Sequence, residues 1–372
     1  MTPMPHSSWE DLFAAPENQG RAVQIELRLL RKGGQPFLVL PSPSRAAAAT
    51  MDLYPAQTPR ARAARAALRC LLTASVPFGI QKTSLTLSPS DPFVQFLASF
   101  AGQPAPAVPT LGILAGNPNS AGQRFLLLVF NASQRPVAVV KAGLSQHAKA
   151  LVEQEASFLD AVPPNTAGVP RLRSRFESSR LRALALDFFP GHSPRPRQDA
   201  ALPALLTSWM HPGRDIPVTS APEWERLDQA APAARLLAPL TKRLCGRKVH
   251  PAICHGDLAP WNIKVSPTGV WTALDWERGR LAGIPAWDWF HYVIQNSILV
   301  AHLSAPALVQ RIEKLLGTDV FRHYAAQSGI IGCERELVLA YLLHTIEVIR
   351  PSEGLAAARE LLRALSARWS IS

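Results

Sequence analysis

The sequence predicts an α+β fold in two lobes, a small β-rich one followed by a larger, mostly helical one, with an additional α/β region at the N-terminus. Three observations predict it. Short apolar runs bounded by Gly, Pro and Asn crowd residues 111–189, as strands do. Apolar residues at helical spacing dominate from about residue 200 onward, apart from a strand-turn-strand core at 253–276. One apolar strand, PVAVVKAG at 136–143, carries a lysine, and an apolar strand is a costly place for a charge without a partner.

Taken in order, AVQIELRLL (22–30) and PFLVLP (36–41) read as strands joined by the turn KGGQ. QTPRARAARAALRCLLT (57–73) reads as a helix with Thr58 as N-cap and Pro59 in its first turn. SLTLS (84–88) is a short strand and DPFVQFLASF (91–100) a short helix capped by Asp91. Residues 1–100 thus form an accessory α+β region, and AGQPAPAVPT (101–110) reads as a linker. A first lobe follows at 105–190. Its strands are LGILAG (111–116), RFLLLVFN (124–131), 136–143, VPRLRSRF and RLRALALDFFPG, with an amphipathic helix at 145–162 capped by Ser145. The second lobe, 191–372, has predicted helices near 222–246, 286–301, 305–317, 319–328, 333–348 and 353–369.

Composition narrows the classes of function. With 47% hydrophobic and 18% charged residues, the chain can bury real cores. Its net charge of +12 invites an anionic partner. Yet the basic residues are spread out, with no block of five or six, which argues against nucleic acid and for attraction of nucleotide phosphates. The 4 cysteines, at 70, 245, 254 and 333, have no CxxC spacing and read as reduced thiols. The start MTPMPHSSWEDLF lacks the pattern of a signal peptide, and no apolar run is long enough to cross a bilayer. A cytoplasmic protein is expected, with no membrane partner.

The chemistry concentrates at 255-HGDLAPWN-262 and 275-DWE-277. NIKVSPTGVWTALD between them reads as a β-hairpin turning at SPTG, so Asn262 and Asp275 are expected to meet at its open end. An amide oxygen beside a carboxylate makes a pair of hard ligands suited to Mg²⁺. Asp257, earlier on the loop, can reach a substrate hydroxyl beside such a metal. Phosphoryl transfer needs this set: a metal on the phosphates, a carboxylate on the attacking hydroxyl and a lysine on the phosphate oxygens. Lys141 is the candidate lysine. Glu155 is its candidate partner, because Glu153 sits about 200° round the helix from Glu155.

In order, VAVVK, QEASFL, ALALDFFPG, HGDLAPWN, DWE and IPAWDW resemble the aminoglycoside phosphotransferase and choline kinase superfamily, small-molecule relatives of the protein kinases, over about 105–350. The resemblance implies a bilobal protein-kinase-like fold that uses ATP and Mg²⁺. It makes Asp257 the catalytic base and Asn262 and Asp275 the metal ligands. Lys141 holds the α- and β-phosphates with Glu155 as its partner. His255 braces the loop, and the backbone of Leu186, Asp187, Phe188 and Phe189 forms the adenine hinge. Asp288 fixes the catalytic loop from below. The stretch Gly116 to Gly122 would cover the phosphates, although it lacks a GxGxxG pattern.

The expected reaction is transfer of the γ-phosphate of ATP to a hydroxyl of a small molecule. Polycationic aminoglycosides call for an acidic pocket, and 291–372 has eight Lys/Arg against seven Asp/Glu. Choline calls for an aromatic cage, for which the tryptophans of the second half supply material but no pattern. A sugar or sugar derivative, neutral or anionic, is therefore the expected acceptor. The alternatives are an aminoglycoside- or choline-type kinase, and a catalytically inactive nucleotide-binding regulatory protein of the same fold. Residues 1–100 could recruit a partner or join copies of the chain as a homo-oligomer.

Overall fold

Alternating apolar residues place eight strands in one antiparallel sheet in the computed structural model, which describes residues 8–15, 22–54, 56, 58–75, 80–102, 107–116, 122–195, 198–231 and 234–371. The strands are β1 (Val23–Lys32), β2 (Gln35–Pro41), β3 (Gln81–Leu87), β4 (Thr110–Ala115), β5 (Arg124–Phe130), β6 (Pro136–Gly143), β7 (Leu172–Glu177) and β8 (Arg182–Asp187). Their order across the sheet is β3-β1-β2-β4-β5-β6-β8-β7. The β1–β2 turn runs through Gly33 and Gly34, both at positive φ, where a side chain would be strained. β2 pairs with β4 through Leu38↔Leu114 and Val39↔Ile113, so strands from 1–100 and from 105–190 share one sheet.

Four helices accompany these strands: α1 (Ser44–Thr50), α2 (Pro59–Thr73), α3 (Pro92–Ala101) and α4 (Gln146–Ala161). The Thr58 hydroxyl accepts from the N–H of Ala61 at 3.2 Å and caps α2. Asp91 caps α3 by accepting from the N–H of Phe93 at 2.8 Å. The pleat sends alternate residues to two faces. Leu111, Ile113, Phe125, Leu127, Val140 and Ala142 join Phe93 and Leu97 of α3 in one core. Leu38, Leu40 and Leu114 turn the other way, onto Ala47, Met51 and Leu72. A Cβ at Gly112 would lie 2.0 Å from the Thr50 hydroxyl, so α1 rests directly on β4. Helix α1 is not predicted from the sequence: SRAAAAT has alanines but no apolar stripe.

The chain divides into two compact units, Met1–Asp160 with Pro170–Phe189, and Ala161–Val169 with Pro190–Ser372. The second contains the helices α5 (Ala201–Ser208), α6 (Pro222–Ala230), α7 (Leu237–Leu244), α8 (Trp287–Leu299), α9 (Ala305–Gly317), α10 (Asp319–Ser328), α11 (Glu334–His344) and α12 (Leu355–Trp369). Its strands are short: β9 (Ile216–Pro217), β10 (Lys248–Val249), β11 (Ala252–Cys254), β12 (Ile263–Val265), β13 (Trp271–Ala273) and β14 (Arg280–Gly283). The sequence predicts a single helix over 222–246, and the structure has two. Ala231 leaves the helical region at φ −140°, because the proline that follows it in sequence disfavours helix there. Strand β14, which pairs with β11, is also absent from the sequence reading. No described helix is long and apolar enough to cross a membrane. Cys70, Cys245, Cys254 and Cys333 are all free thiols.

Candidate active site

In the first unit, alternation along β6 sends Val140 and Ala142 into the main core and turns Lys141 to the opposite face. There its Nζ meets both carboxylate oxygens of Glu155 on α4, at 2.6 and 2.7 Å. The side chains are only 8% and 1% exposed. This is a charge-assisted, two-oxygen contact sealed from water. Glu153, on the other face of α4, pairs with Arg175 at 2.9 Å near the surface. Leu186 is buried at the end of β8, and Phe188 beyond it packs against the cluster of Leu128 and Phe130. Asp187 is exposed and lies 3.4 Å from Arg173. Of the stretch expected to cover the phosphates, only Gly116 and Gly122 are described, and 117–121 lie outside the described residues.

In the second unit, HGDLAPWN leaves β11 and enters β12 through a single tight turn at Pro260–Asn262. Two anchors hold it. The buried carboxylate of Asp288, in the first turn of α8, accepts from the main-chain N–H of His255 at 2.6 Å and of Gly256 at 2.9 Å. His255, fully buried, donates from Nε2 to the Leu274 carbonyl at 2.8 Å, and its Nδ1 accepts from the N–H of Asp257 at 3.2 Å. Those bonds fix one tautomer and tie the loop to the end of the hairpin. Burial pushes the Asp288 carboxyl up, and the nearby imidazoles and the two N–H groups oppose that rise.

Asp257 is the meeting point. The Asn262 amide donates to its Oδ2 at 3.0 Å and to its main-chain carbonyl at 2.8 Å. His291 Nε2 lies 3.2 Å and Arg278 Nη1 3.4 Å from its Oδ1. The carboxylate keeps 33% of its surface exposed. Burial pushes its pKa up, but the His291 hydrogen bond and the electrostatic influence of His291, Arg278 and His255 outweigh burial and leave it below the ordinary value. His291 and Arg278 are not among the residues singled out from the sequence. His291 stands one turn after Asp288 on α8, so the carboxylate that holds the loop and the imidazole that meets Asp257 share a helix face. That i, i+3 spacing was the available signal.

The hairpin turns at Ser266–Val270, with Gly269 at φ 84°. Its ladder differs by one residue from the sequence expectation: the N–H of Leu274, not of Asp275, donates to the Asn262 carbonyl at 2.7 Å. Asp275 lies one step beyond, in a left-handed conformation at φ 74° that turns the chain out of the strand. The Asn262 NH₂ turns to Asp257. Among the described residues no group of three or more His, Cys, Asp or Glu could grip a metal unaided. An amide oxygen and a carboxylate instead fit Mg²⁺, which takes one or two protein ligands and completes its shell with phosphate and water.

No family model matches the chain, and no curated protein matches it. Among solved structures it is similar to a thermostable mutant of aminoglycoside phosphotransferase APH(4)-Ia in its apo form, with TM-score 0.47 and 14% identity over 75% of this chain and 100% of that one. A ternary complex of the same enzyme with ADP and hygromycin B gives TM-score 0.48 and 12% identity over 74% and 97% of the two chains. Aminoglycoside phosphotransferase APH(3'')-Id from Streptomyces rimosus gives 0.40 and 15% over 68% and 97%. At these values the likenesses assign no residue, ligand or reaction to this chain.

Proposed function

We propose that the chain is an ATP-dependent phosphotransferase that moves the γ-phosphate to a hydroxyl of a small molecule, a sugar or sugar derivative. The observation that carries this reading is Asp257. It is a half-open carboxylate held by Asn262, His291 and Arg278, on a loop pinned by Asp288 and His255. In this reading Asp257 orients the acceptor hydroxyl and takes its proton as the bond to phosphorus forms. A carboxylate held below its ordinary pKa stays ionised at neutral pH, and in a loose transition state its placement counts for more than its basicity. Lys141 of the first unit, held by Glu155, would hold phosphate oxygens, and the backbone of Leu186 to Phe189 would hold adenine. Asn262 and Asp275 would hold Mg²⁺, which when bound neutralises phosphate charge. Arg278 beside the base disfavours a polycationic acceptor and suits a neutral or anionic one.

The test is nucleotide turnover with Mg²⁺ and a panel of hydroxyl acceptors. Asp257→Ala is expected to lower turnover by about 10²-fold or more, and Asp275→Ala by a comparable factor. Equal rates in the wild type and both variants would sink the enzyme reading in favour of a nucleotide-binding protein without chemistry. Turnover of aminoglycosides or choline but of no sugar would overturn the acceptor class.

A further inference from the structure

A base in phosphoryl transfer works through its direction: one lone pair must face the attacking oxygen while the rest of the carboxylate stays still. Asp257 has two oxygens, and the structure gives them different partners. Oδ2 accepts from the Asn262 amide at 3.0 Å, whereas Oδ1 faces His291 Nε2 at 3.2 Å and Arg278 Nη1 at 3.4 Å. Arg278 is a long side chain, 38% exposed, and cannot by itself fix an angle. His291 is 8% exposed and sits inside helix α8. Its other ring nitrogen, Nδ1, lies 2.9 Å from the Tyr341 hydroxyl.

Tyr341 is in turn 4% exposed within α11, and its ring packs edge-on against Trp287 at 5.9 Å. Burial raises the Tyr341 pKa, so it remains a phenol. A phenol hydroxyl can donate to Nδ1 of a neutral imidazole or accept from Nδ1 of a charged one. In both cases Nε2 carries the hydrogen that points to Asp257. We propose that His291, held at Nδ1 by Tyr341, is a positioning residue that sets the orientation of the Asp257 carboxylate. The inference rests on the phosphotransferase reading for its consequence and on the three-residue alignment for its geometry. It also explains a core histidine with both nitrogens engaged, one of them by a carboxylate that is a third exposed. Helices α8 and α11, which carry no substrate-facing group in the proposed mechanism, thereby act on the reaction through one hydrogen bond.

The test has one arm that needs turnover and one that does not. In His291→Leu, kcat is expected to fall about 10- to 100-fold, the range for groups that orient a catalytic residue from behind. KM for nucleotide and acceptor should stay within about twofold, because nothing that binds them has changed. His291→Gln carries an N–H at the reach of Nε2 and should recover most of kcat, and Tyr341→Phe should fall between the two. A purely structural role would not separate Leu from Gln in this way. The second arm follows ring-nitrogen resonances of His291 by NMR in the full chain. A protonated Nε2 in the wild type, with its proton signal moved upfield in Asp257→Ala, supports the tether. A bare Nε2 in the wild type, or an unchanged kcat in a folded His291→Leu, overturns it. A protonated Nε2 in a chain without turnover counts for the tether and against the phosphotransfer reading.

Discussion

Each unit of the molecule places a carboxylate beside a cation, and the two pairs live in opposite surroundings. Lys141 and Glu155 touch through two oxygens at 2.6 and 2.7 Å, with side-chain exposures of 8% and 1%. Arg278 and Asp257 stand 3.4 Å apart, with exposures of 38% and 33%. The first pair is almost fully withdrawn from solvent. The second keeps solvent on both members, and Asp257 divides its contacts among Asn262, His291 and Arg278. Under the proposed function, the contrast fits a carboxylate that can exchange a protein partner for a hydroxyl.

The largest effect should come from breaking the sealed pair. Lys141→Met takes away the cation that meets both Glu155 oxygens at a buried site, which costs about 3–5 kcal/mol of stability. Lys141→Met with Glu155→Leu removes both charges and should regain most of that loss. Chemical denaturation of both variants measures it, with nucleotide turnover followed alongside. Turnover should be lost in both, since the lysine is missing from each. A double variant as unstable as the single one would show that the pair holds the fold by more than charge balance.

What the sequence could tell depended on how far apart the cooperating residues lie. Strands β4, β5, β6 and β8, helix α4 and nearly all later helices were legible, because periodicity and caps such as Thr58 and Asp91 are local signals. The joining of β2 to β4 was not, since pairing across some seventy residues leaves no local trace. Lys141 with Glu155 could be matched by helical spacing, and the structure brings the couple together, whereas the contact of Asn262 with Asp257 was not expected from the sequence. His291, Tyr341 and Arg278 could not be matched to Asp257 in that way. Their approach is set by helix packing between α8 and α11 and by the turn after Trp276, where the sequence shows only an ordinary histidine, tyrosine and arginine. The one-residue shift at Asp275 has the same kind of origin, a left-handed backbone that no residue type announces.

A second, smaller effect should appear on acidification. His344, in the last turn of α11, is 7% exposed, and its Nε2 has no hydrogen-bond partner among the described residues. Burial first, and then the charges of Arg226, Arg280 and Arg278, bring its pKa from 6.5 down to about 4. Between those values the unfolded chain binds a proton that the folded chain refuses. Stability therefore falls as pH drops through about 6.5 toward 4 and levels off below that, by about 3 kcal/mol in all. His344→Phe, which keeps a ring tilted against Trp287 without a titrating nitrogen, should flatten this part of the profile. Comparing urea midpoints at pH 7 and pH 4.5 for both chains isolates the term. Parallel losses in the two would mean that another group sets the acid limb.

The smallest effect belongs to the open pair and is the sharpest test of the contrast. Arg278→Ala removes a cation from beside Asp257, the same operation in outline as removing Lys141 from Glu155. Here, however, water can reach the carboxylate, and Asn262 and His291 still hold it. Stability should change by less than about 1 kcal/mol, and added salt should shrink even that difference, because exposed charges are screened over roughly 8–10 Å. Turnover should respond more than stability does. Asp257 loses one of the charges that hold its pKa down, and an anionic acceptor would lose a guanidinium at the base, so KM for such an acceptor should rise. A loss of stability as large as that of Lys141→Met would mean that Asp257 depends on Arg278 as Glu155 depends on Lys141. The difference between a sealed pair and a working one would then have to be sought elsewhere than in their access to water.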